Sequence, residues 1–60
     1  SVCDLPPETG RCRAAITKYF YNSTSGYCEE FIYGGCEGNE NRFDNITACK
    51  DQCPIQRIFV

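Results

Sequence analysis

Sixty residues with a formal net charge of −2 are enough for one small domain, and too few to enclose the substrate cavity of an enzyme. The chain has no histidine, so it has no catalytic histidine, and its six cysteines are the main candidates for metal ligands. Because the chain has neither a basic patch nor a long apolar run, we expect no nucleic-acid partner and no membrane partner.

The first two thirds of the chain predict a hairpin. Residues 4–10 contain two prolines and a glycine, which favour an irregular segment. Residues 14–21 are rich in β-branched and aromatic side chains and predict a strand. A cluster of turn-forming residues follows at 22–26, and residues 27–33 predict the returning strand. We therefore expect one antiparallel hairpin with a loop of about five residues.

The last third predicts a loop and one short helix. Residues 34–43 are rich in glycine and asparagine and predict a loop. Residues 45–53 predict a helix that Asp44 or Asn45 can cap and that Pro54 ends. We expect one domain over residues 1–60 with its core in residues 3–53. The C-terminal tail, residues 54–60, could pack on the body or form a frayed linker, and we favour the linker.

The cysteines indicate a disulfide scaffold. A domain of this size buries only about 60% of the surface that its unfolded chain exposes, so it usually needs covalent support. Zinc is disfavoured because no C-x-x-C pair is present. Disulfides require an oxidising compartment, so we expect a secreted protein. Because the sequence shows no leader segment, we expect it to be a mature or excised domain. Spacing alone leaves fifteen pairings open.

Four motifs accompany the cysteine spacing C-x8-C-x15-C-x7-C-x12-C-x3-C. They are TGRCRA at 9–14, YFYN at 19–22, FIYGGCEGN at 31–39 and NRF at 41–43. Together with the spacing, they resemble the Kunitz/bovine pancreatic trypsin inhibitor family from Cys3 to Cys53. The resemblance implies a small disulfide-rich α+β fold: a twisted two-stranded antiparallel hairpin, a short C-terminal helix, and the disulfides Cys3–Cys53, Cys12–Cys36 and Cys28–Cys49.

The resemblance also implies a function. In this family the residue after the second cysteine enters the primary pocket of a serine protease; here it is Arg13, and the reactive bond is Arg13–Ala14. A trypsin-like pocket has an aspartate at its base, with which a guanidinium forms charge-assisted hydrogen bonds. We therefore expect a monomeric inhibitor of trypsin-like serine proteases that needs no cofactor and no metal. The implied protease-binding residues lie in two adjacent loops, 10–17 and 32–37: Gly10, Arg11, Cys12, Arg13, Ala14, Ala15, Ile16, Thr17, Ile32, Cys36 and Glu37.

The chain departs from the family pattern at four positions. Arg11 replaces a common proline, and we expect it either to meet an acidic enzyme subsite or to loosen the loop. Lys18 replaces an arginine that stacks between aromatic rings, which predicts some loss of local stability. Glu37 is expected to repel enzymes with an acidic rim, and Arg42 replaces a frequent asparagine.

Other positions follow the family. Asn41 matches an asparagine whose amide supports the backbone behind the binding loop. Six aromatic residues are expected in the core rather than in binding: Tyr19, Phe20, Tyr21, Phe31, Tyr33 and Phe43.

Two N-glycosylation triplets begin at Asn22 and Asn45. The first falls on the predicted hairpin turn, away from the implied binding loop, where a glycan would be harmless. The second coincides with the predicted start of the helix, and there we favour the capping role.

Two alternative functions share this fold, because a fold does not fix a function. Kunitz-type toxins that block ion channels rely on basic residues near the N-terminus, whereas residues 1–8 contain Asp4 and Glu8 but no lysine or arginine. A non-inhibitory extracellular module would be favoured by a non-basic residue at 13 or a bulky one at 14, and Arg13 and Ala14 fit neither condition.

Overall fold

The computed structural model describes residues 1–54, so the prediction for the tail beyond Pro54 lies outside the described residues. The elements in chain order are a 3-10 helix (Val2–Asp4), strand β1 (Ile16–Asn22), strand β2 (Tyr27–Tyr33) and helix α1 (Ile46–Gln52). The predicted α+β class, with one hairpin and one short C-terminal helix, is confirmed. Within residues 1–54, no helix has the length and apolar character needed to cross a membrane.

The hairpin pairs β1 and β2 in antiparallel register, from Ile16 opposite Tyr33 to Asn22 opposite Tyr27. The first strand begins two residues later than predicted, because Ala15 has a left-handed φ of 58° that interrupts the extended path. The connecting turn is stabilised by Asn22, whose Oδ1 accepts hydrogen bonds from the N–H groups of Thr24 and Ser25. It closes when the Gly26 N–H donates to the Asn22 carbonyl at 2.7 Å.

Helix α1 has Asn45 as its N-cap. The Asn45 Oδ1 accepts a hydrogen bond of 2.8 Å from the Ala48 N–H, which satisfies a donor that the first helical turn leaves open. Of the two predicted N-cap candidates, Asp44 and Asn45, the helix therefore uses Asn45. Cys53 forms the C-cap, so the predicted helix 45–53 included both capping residues.

The N-terminal segment contains a helical turn that the sequence reasoning missed. Residues Val2–Asp4 form a 3-10 turn, although the sequence predicted an irregular segment from residue 4 onward. The signal was Ser1, whose hydroxyl oxygen accepts from the Cys3 N–H at 3.2 Å. The same turn carries Cys3 toward the end of α1.

Disulfides and aromatic side chains form the interior. The three disulfides are Cys3–Cys53, Cys12–Cys36 and Cys28–Cys49, which is the pairing that the family resemblance implies. The Cys12–Cys36 disulfide lies at the surface, whereas the other two disulfides pack beside Tyr21. Of the six aromatic residues expected in the core, three are buried and three are half-buried: Phe20, Tyr21 and Tyr33, then Tyr19, Phe31 and Phe43.

Asn41 is the one fully buried polar side chain among the described residues, with 0% of its surface exposed. Its Oδ1 accepts from the Tyr21 N–H at 3.0 Å, and its Nδ2 donates to the carbonyls of Leu5 and Tyr21 at 2.8 and 3.0 Å. The amide therefore joins the N-terminal segment to β1. Its role in supporting a binding loop stays a prediction.

Candidate functional site

Two loops at the surface, residues 10–17 and 32–37, lie side by side. The Cys12–Cys36 disulfide joins them with a Cα–Cα distance of 5.6 Å. A backbone hydrogen bond of 2.8 Å joins them again, from the Ala14 N–H to the Gly34 carbonyl, and a second of 2.8 Å runs from the Gly34 N–H to the carbonyl of Thr9, just before the first loop. Residues 10–17 are all exposed, so the first loop is presented to solvent on a backbone that is fixed from behind.

The close approach of the two loops requires glycine at two positions. A Cβ at Gly34 would lie 1.9 Å from the Cys12 carbonyl oxygen, and a Cβ at Gly10 would lie 2.1 Å from the Cys36 carbonyl oxygen. Ordinary contact begins near 3.4 Å, so any side chain at either position would push the loops apart. Gly10 and Gly34 therefore set the spacing on which the position of Arg13 depends.

Arg13 lies on the exposed loop between the bridged Cys12 and the backbone-bonded Ala14. Among residues 1–54, its guanidinium has no hydrogen-bond or ion-pair partner. The side chain is therefore free to bind a complementary group on another molecule, while its backbone is held on both sides. Two residues later, Ala15 occupies the left-handed region, at a cost of about 1–2 kcal/mol for a residue with a Cβ.

Arg11 and Glu37 form an ion pair across the disulfide, with Nη1 and Oε2 separated by 3.5 Å. The sequence analysis predicted a separate enzyme contact for each of these two residues, and their pairing becomes visible only in the folded structure. Their side chains are 83% and 52% exposed, so the pair stabilises the loops by no more than about 1 kcal/mol. The charge of each is offset by the other in the free protein.

The backbone at Glu37 is held by a second arginine that the sequence reasoning did not assign to the site. The Glu37 carbonyl accepts from the Tyr33 hydroxyl at 2.9 Å and from the Arg42 Nη1 at 3.1 Å. Arg42 also stacks over the Tyr33 ring, 4.1 Å from its centroid, and donates to the Asn39 carbonyl at 3.0 Å. All members of this network lie between Tyr33 and Arg42, and the glycine- and asparagine-rich composition of that stretch predicted only a loop.

The comparison with known families decides the assignment of this two-loop arrangement. Residues 2–54 match the family model of the Kunitz/Bovine pancreatic trypsin inhibitor domain. The chain belongs to this family. Kunitz domains of this family are inhibitors and not enzymes, which agrees with the prediction that the chain is not an enzyme.

Two curated relatives and one solved structure illustrate the similarity. The Kunitz-type anticoagulant protein Ir-CPI of Ixodes ricinus is 50% identical over 56 residues, which cover 93% of this chain and 65% of the relative. The Kunitz-type serine protease inhibitor BmKTT-2 of Olivierus martensii is 53% identical over 51 residues, covering 85% of this chain and 63% of the relative. The chain thus spans slightly less than two thirds of the length of either relative.

The solved structure comes from work described as "Pore-modulating toxins exploit inherent slow inactivation to block K+ channels". It superposes with a TM-score of 0.86 at 42% identity, covering 88% of this chain and 91% of the toxin chain. The same Kunitz fold therefore occurs in protease inhibitors and in a channel-blocking toxin.

Lys18, one of the four departures from the family pattern named above, forms an ion pair with Asp44. The Lys18 ammonium donates a hydrogen bond to the Asp44 carboxylate and attracts it, which holds the pKa of that carboxyl below its usual value of 3.8. The side chain of Lys18 is only 22% exposed. The position thus has an electrostatic contact, and the predicted loss of local stability stays a prediction.

The two glycosylation triplets differ in how their asparagines are engaged. At Asn45 the oxygen caps α1, so the capping role that the sequence favoured is present. At Asn22 both ends of the amide are used, because Nδ2 also donates to the Glu29 carboxylate at 3.2 Å. Asn22 is half-buried and Asn45 is exposed. Modification of either residue stays a prediction.

Proposed function

We propose that this Kunitz domain is a secreted inhibitor of trypsin-like serine proteases, with Arg13 in the primary specificity pocket and Arg13–Ala14 as the reactive bond. The observation that carries the proposal is the exposed Arg13 guanidinium, which has no partner within residues 1–54, on a backbone fixed at both neighbouring residues. An aspartate at the base of a trypsin-like pocket supplies the partner that this guanidinium lacks.

The fixed backbone supports tight binding. An ordinary peptide substrate loses conformational freedom when it is ordered in an enzyme cleft, and this loss weakens binding. Residues 10–17 are ordered beforehand by the Cys12–Cys36 disulfide and by the hydrogen bond from the Ala14 N–H to the Gly34 carbonyl, and Gly34 in turn donates to the Thr9 carbonyl. The loop therefore binds as a substrate would, but with a smaller entropic cost.

The same contacts support slow turnover. Cleavage of Arg13–Ala14 would release the Ala14 nitrogen as the leaving amine. This nitrogen already donates to the Gly34 carbonyl at 2.8 Å, and Gly34 lies two residues before the bridged Cys36. The amine would therefore stay close to the acyl-enzyme, where re-formation of the bond competes with hydrolysis. Inhibition follows because the cut ends do not separate.

The partner surface comprises both loops. A protease–inhibitor interface of standard size buries about 1,600 Å² in total. Residues of loops 10–17 and 32–37 would supply the inhibitor's half, with Arg13 at the centre. Three disulfides in a domain this small support an extracellular, oxidising location, and we propose that the inhibitor acts there as a monomer.

Channel blocking is the second candidate, favoured by the similarity to the toxin structure. Its weakness is the absence of basic residues among positions 1–8, since cationic side chains are what a cation pore attracts. A non-inhibitory extracellular module is the third. Both predict that substitution of Arg13 leaves protease inhibition unchanged.

The test compares the oxidised protein with Arg13→Ala and Arg13→Leu against trypsin and chymotrypsin. Because a buried arginine anchor commonly carries about 4 kcal/mol of binding free energy, Arg13→Ala is expected to weaken trypsin inhibition about 10³-fold. Arg13→Leu is expected to move inhibition toward chymotrypsin. Inhibition that is indifferent to residue 13, in samples with all three disulfides formed, would exclude the proposed reactive bond.

A further inference from the structure

Arg42 forms a clamp on the backbone that follows strand β2. Its Nη1 donates to the carbonyls of Glu37 and Asn39, at 3.1 and 3.0 Å. The guanidinium carbon lies 4.1 Å from the centroid of the Tyr33 ring, and the Tyr33 hydroxyl donates to the same Glu37 carbonyl at 2.9 Å. One carbonyl is therefore held by two side chains that also stack on each other.

The clamped backbone has a conformation that needs support. Glu37 and Gly38 have left-handed φ values of 59° and 83°. A residue with a Cβ keeps such a conformation only where its surroundings hold it. The clamp also closes over Gly38, where an added Cβ would lie 3.0 Å from the Arg42 Nη1 and 3.2 Å from the Tyr33 Cε1. Arg42 and Tyr33 thus supply the contacts that hold this turn.

The clamp is attached to the interior of the domain. Tyr33 is 8% exposed, and Arg42 is half-buried. The second carbonyl that Arg42 binds belongs to Asn39, whose Oδ1 accepts from the Asn41 N–H at 2.9 Å. The Asn41 side chain is fully buried. The position of Glu37 is therefore fixed relative to the core.

A covalent route leads from the clamp to the proposed reactive bond. Glu37 directly follows Cys36 in the chain. The disulfide of Cys36 leads to Cys12, the residue before Arg13. Whatever fixes the backbone beside Cys36 therefore also fixes the attachment of Arg13.

This attachment gains importance once the bond is cut. Hydrolysis of Arg13–Ala14 consumes one water and leaves a carboxylate on Arg13 and an amine on Ala14. The amine end is held by the hydrogen bond of Ala14 to the Gly34 carbonyl, whereas the carboxylate end is held through the Cys12–Cys36 disulfide. The position of Cys36 then decides whether the two ends stay together.

We propose that Arg42 is a positioning residue for the Arg13–Ala14 bond: it keeps the two cut ends together and so favours re-formation of the bond over hydrolysis. This inference rests on the function proposed above, and it requires no contact between Arg42 and a protease. In the intact chain the peptide bond itself restrains both ends. In the cut chain only the anchors do, so loss of the clamp frees the cut form more than the intact form.

The test measures the equilibrium ratio of cut to intact chain, which is a property of the inhibitor and not of the protease that catalyses the exchange. The full oxidised 60-residue chain is incubated with a catalytic amount of trypsin until intact and cut starting material reach the same ratio. The cut form is heavier by one water, and peptide mapping after reduction identifies the cut at Arg13–Ala14. Arg42→Ala is expected to raise the ratio about tenfold, which corresponds to freeing the backbone of about one residue.

Further variants separate positioning from a general loss of stability. Arg42→Lys keeps the charge but loses the planar group that stacks on Tyr33, so it is expected to raise the ratio by less than Arg42→Ala does. Tyr33→Phe keeps the ring and removes the hydroxyl that shares the Glu37 carbonyl, and it is also expected to raise the ratio. Asn45→Ala is the control, because it removes the cap of α1 and lowers the thermal midpoint without touching either loop. We expect it to leave the ratio unchanged.

The outcomes distinguish this inference from the function on which it rests. If Arg42→Ala leaves the ratio unchanged, or if Asn45→Ala raises it equally, the role of Arg42 is overturned and the reactive bond stands. If Arg13→Ala inhibits trypsin as well as the wild type does and no cut forms at Arg13–Ala14, the proposed function itself fails. A rise confined to the Arg42 and Tyr33 variants supports the inference.

Discussion

Gly34→Ala tests whether the spacing of the two loops controls inhibition. The new Cβ would lie 1.9 Å from the Cys12 carbonyl oxygen, so the loops must part by about 1.5 Å to restore ordinary contact. Both 2.8 Å hydrogen bonds of Gly34, from Ala14 and to Thr9, would then exceed hydrogen-bonding distance. Two lost backbone bonds at about 1 kcal/mol each give about 2 kcal/mol.

We expect this loss in binding as well as in stability, because the enzyme would have to restore the loop geometry. An affinity loss of about 2 kcal/mol corresponds to an inhibition constant about 30-fold higher. The assay is trypsin inhibition on samples whose three disulfides are verified by peptide mapping. Asn45→Ala, which removes the cap of α1 at a cost of about 1 kcal/mol to stability, is the control and is expected to leave inhibition unchanged. Wild-type inhibition by Gly34→Ala would refute the reasoning.

The ion pair of Lys18 and Asp44 predicts a dependence of stability on pH. Because the pKa of Asp44 is lowered in the folded state, its contribution is present above the usual value of 3.8 and is lost as the pH falls through the folded value. The thermal midpoint of Asp44→Asn should therefore lie below that of the wild type near neutral pH, with the gap closing below pH 3.8; a gap independent of pH would contradict this. Asn41→Ala removes three hydrogen bonds of a fully buried amide and is expected to destabilise the fold by about 3 kcal/mol or more in urea unfolding. Asn39→Ala removes two hydrogen bonds of a partly exposed amide and is expected to cost about 1 kcal/mol. Equal losses for the two variants would show that burial of Asn41 is not what matters.

The hairpin and the helix could be predicted because their signals are local. β-branched and aromatic residues indicated both strands, and Asn45 with Pro54 bounded the helix within one residue at each end. The first strand was predicted two residues too early because Ala14 and Ala15 have no local signal for the left-handed turn at Ala15.

The candidate site also contains one residue that the sequence predicted and several contacts that it did not. Arg13 was identified from its place after Cys12 in the motif, and its role stays a prediction. The pairing of Arg11 with Glu37, and the support of Glu37 by Arg42 and Tyr33, were not predicted. Arg11 and Glu37 are 26 positions apart in sequence, and propensity carries no information about contacts at that separation. The contacts of Arg42 and Tyr33 with Glu37 are only five and four positions apart, but they depend on the path of an irregular loop that no motif specifies.

By itself, the sequence determined that this protein is a small disulfide-bonded domain with one hairpin, one capped helix and an arginine next to a disulfide-bonded cysteine. Those features follow from composition, from local conformational preference and from a family motif. Only the tertiary structure decided how the charges of the two loops combine. It did so because the Cys12–Cys36 disulfide and the close approach at Gly34 bring Arg11 within 3.5 Å of Glu37. Electrostatic interactions depend on distance in space, which the chain acquires only on folding.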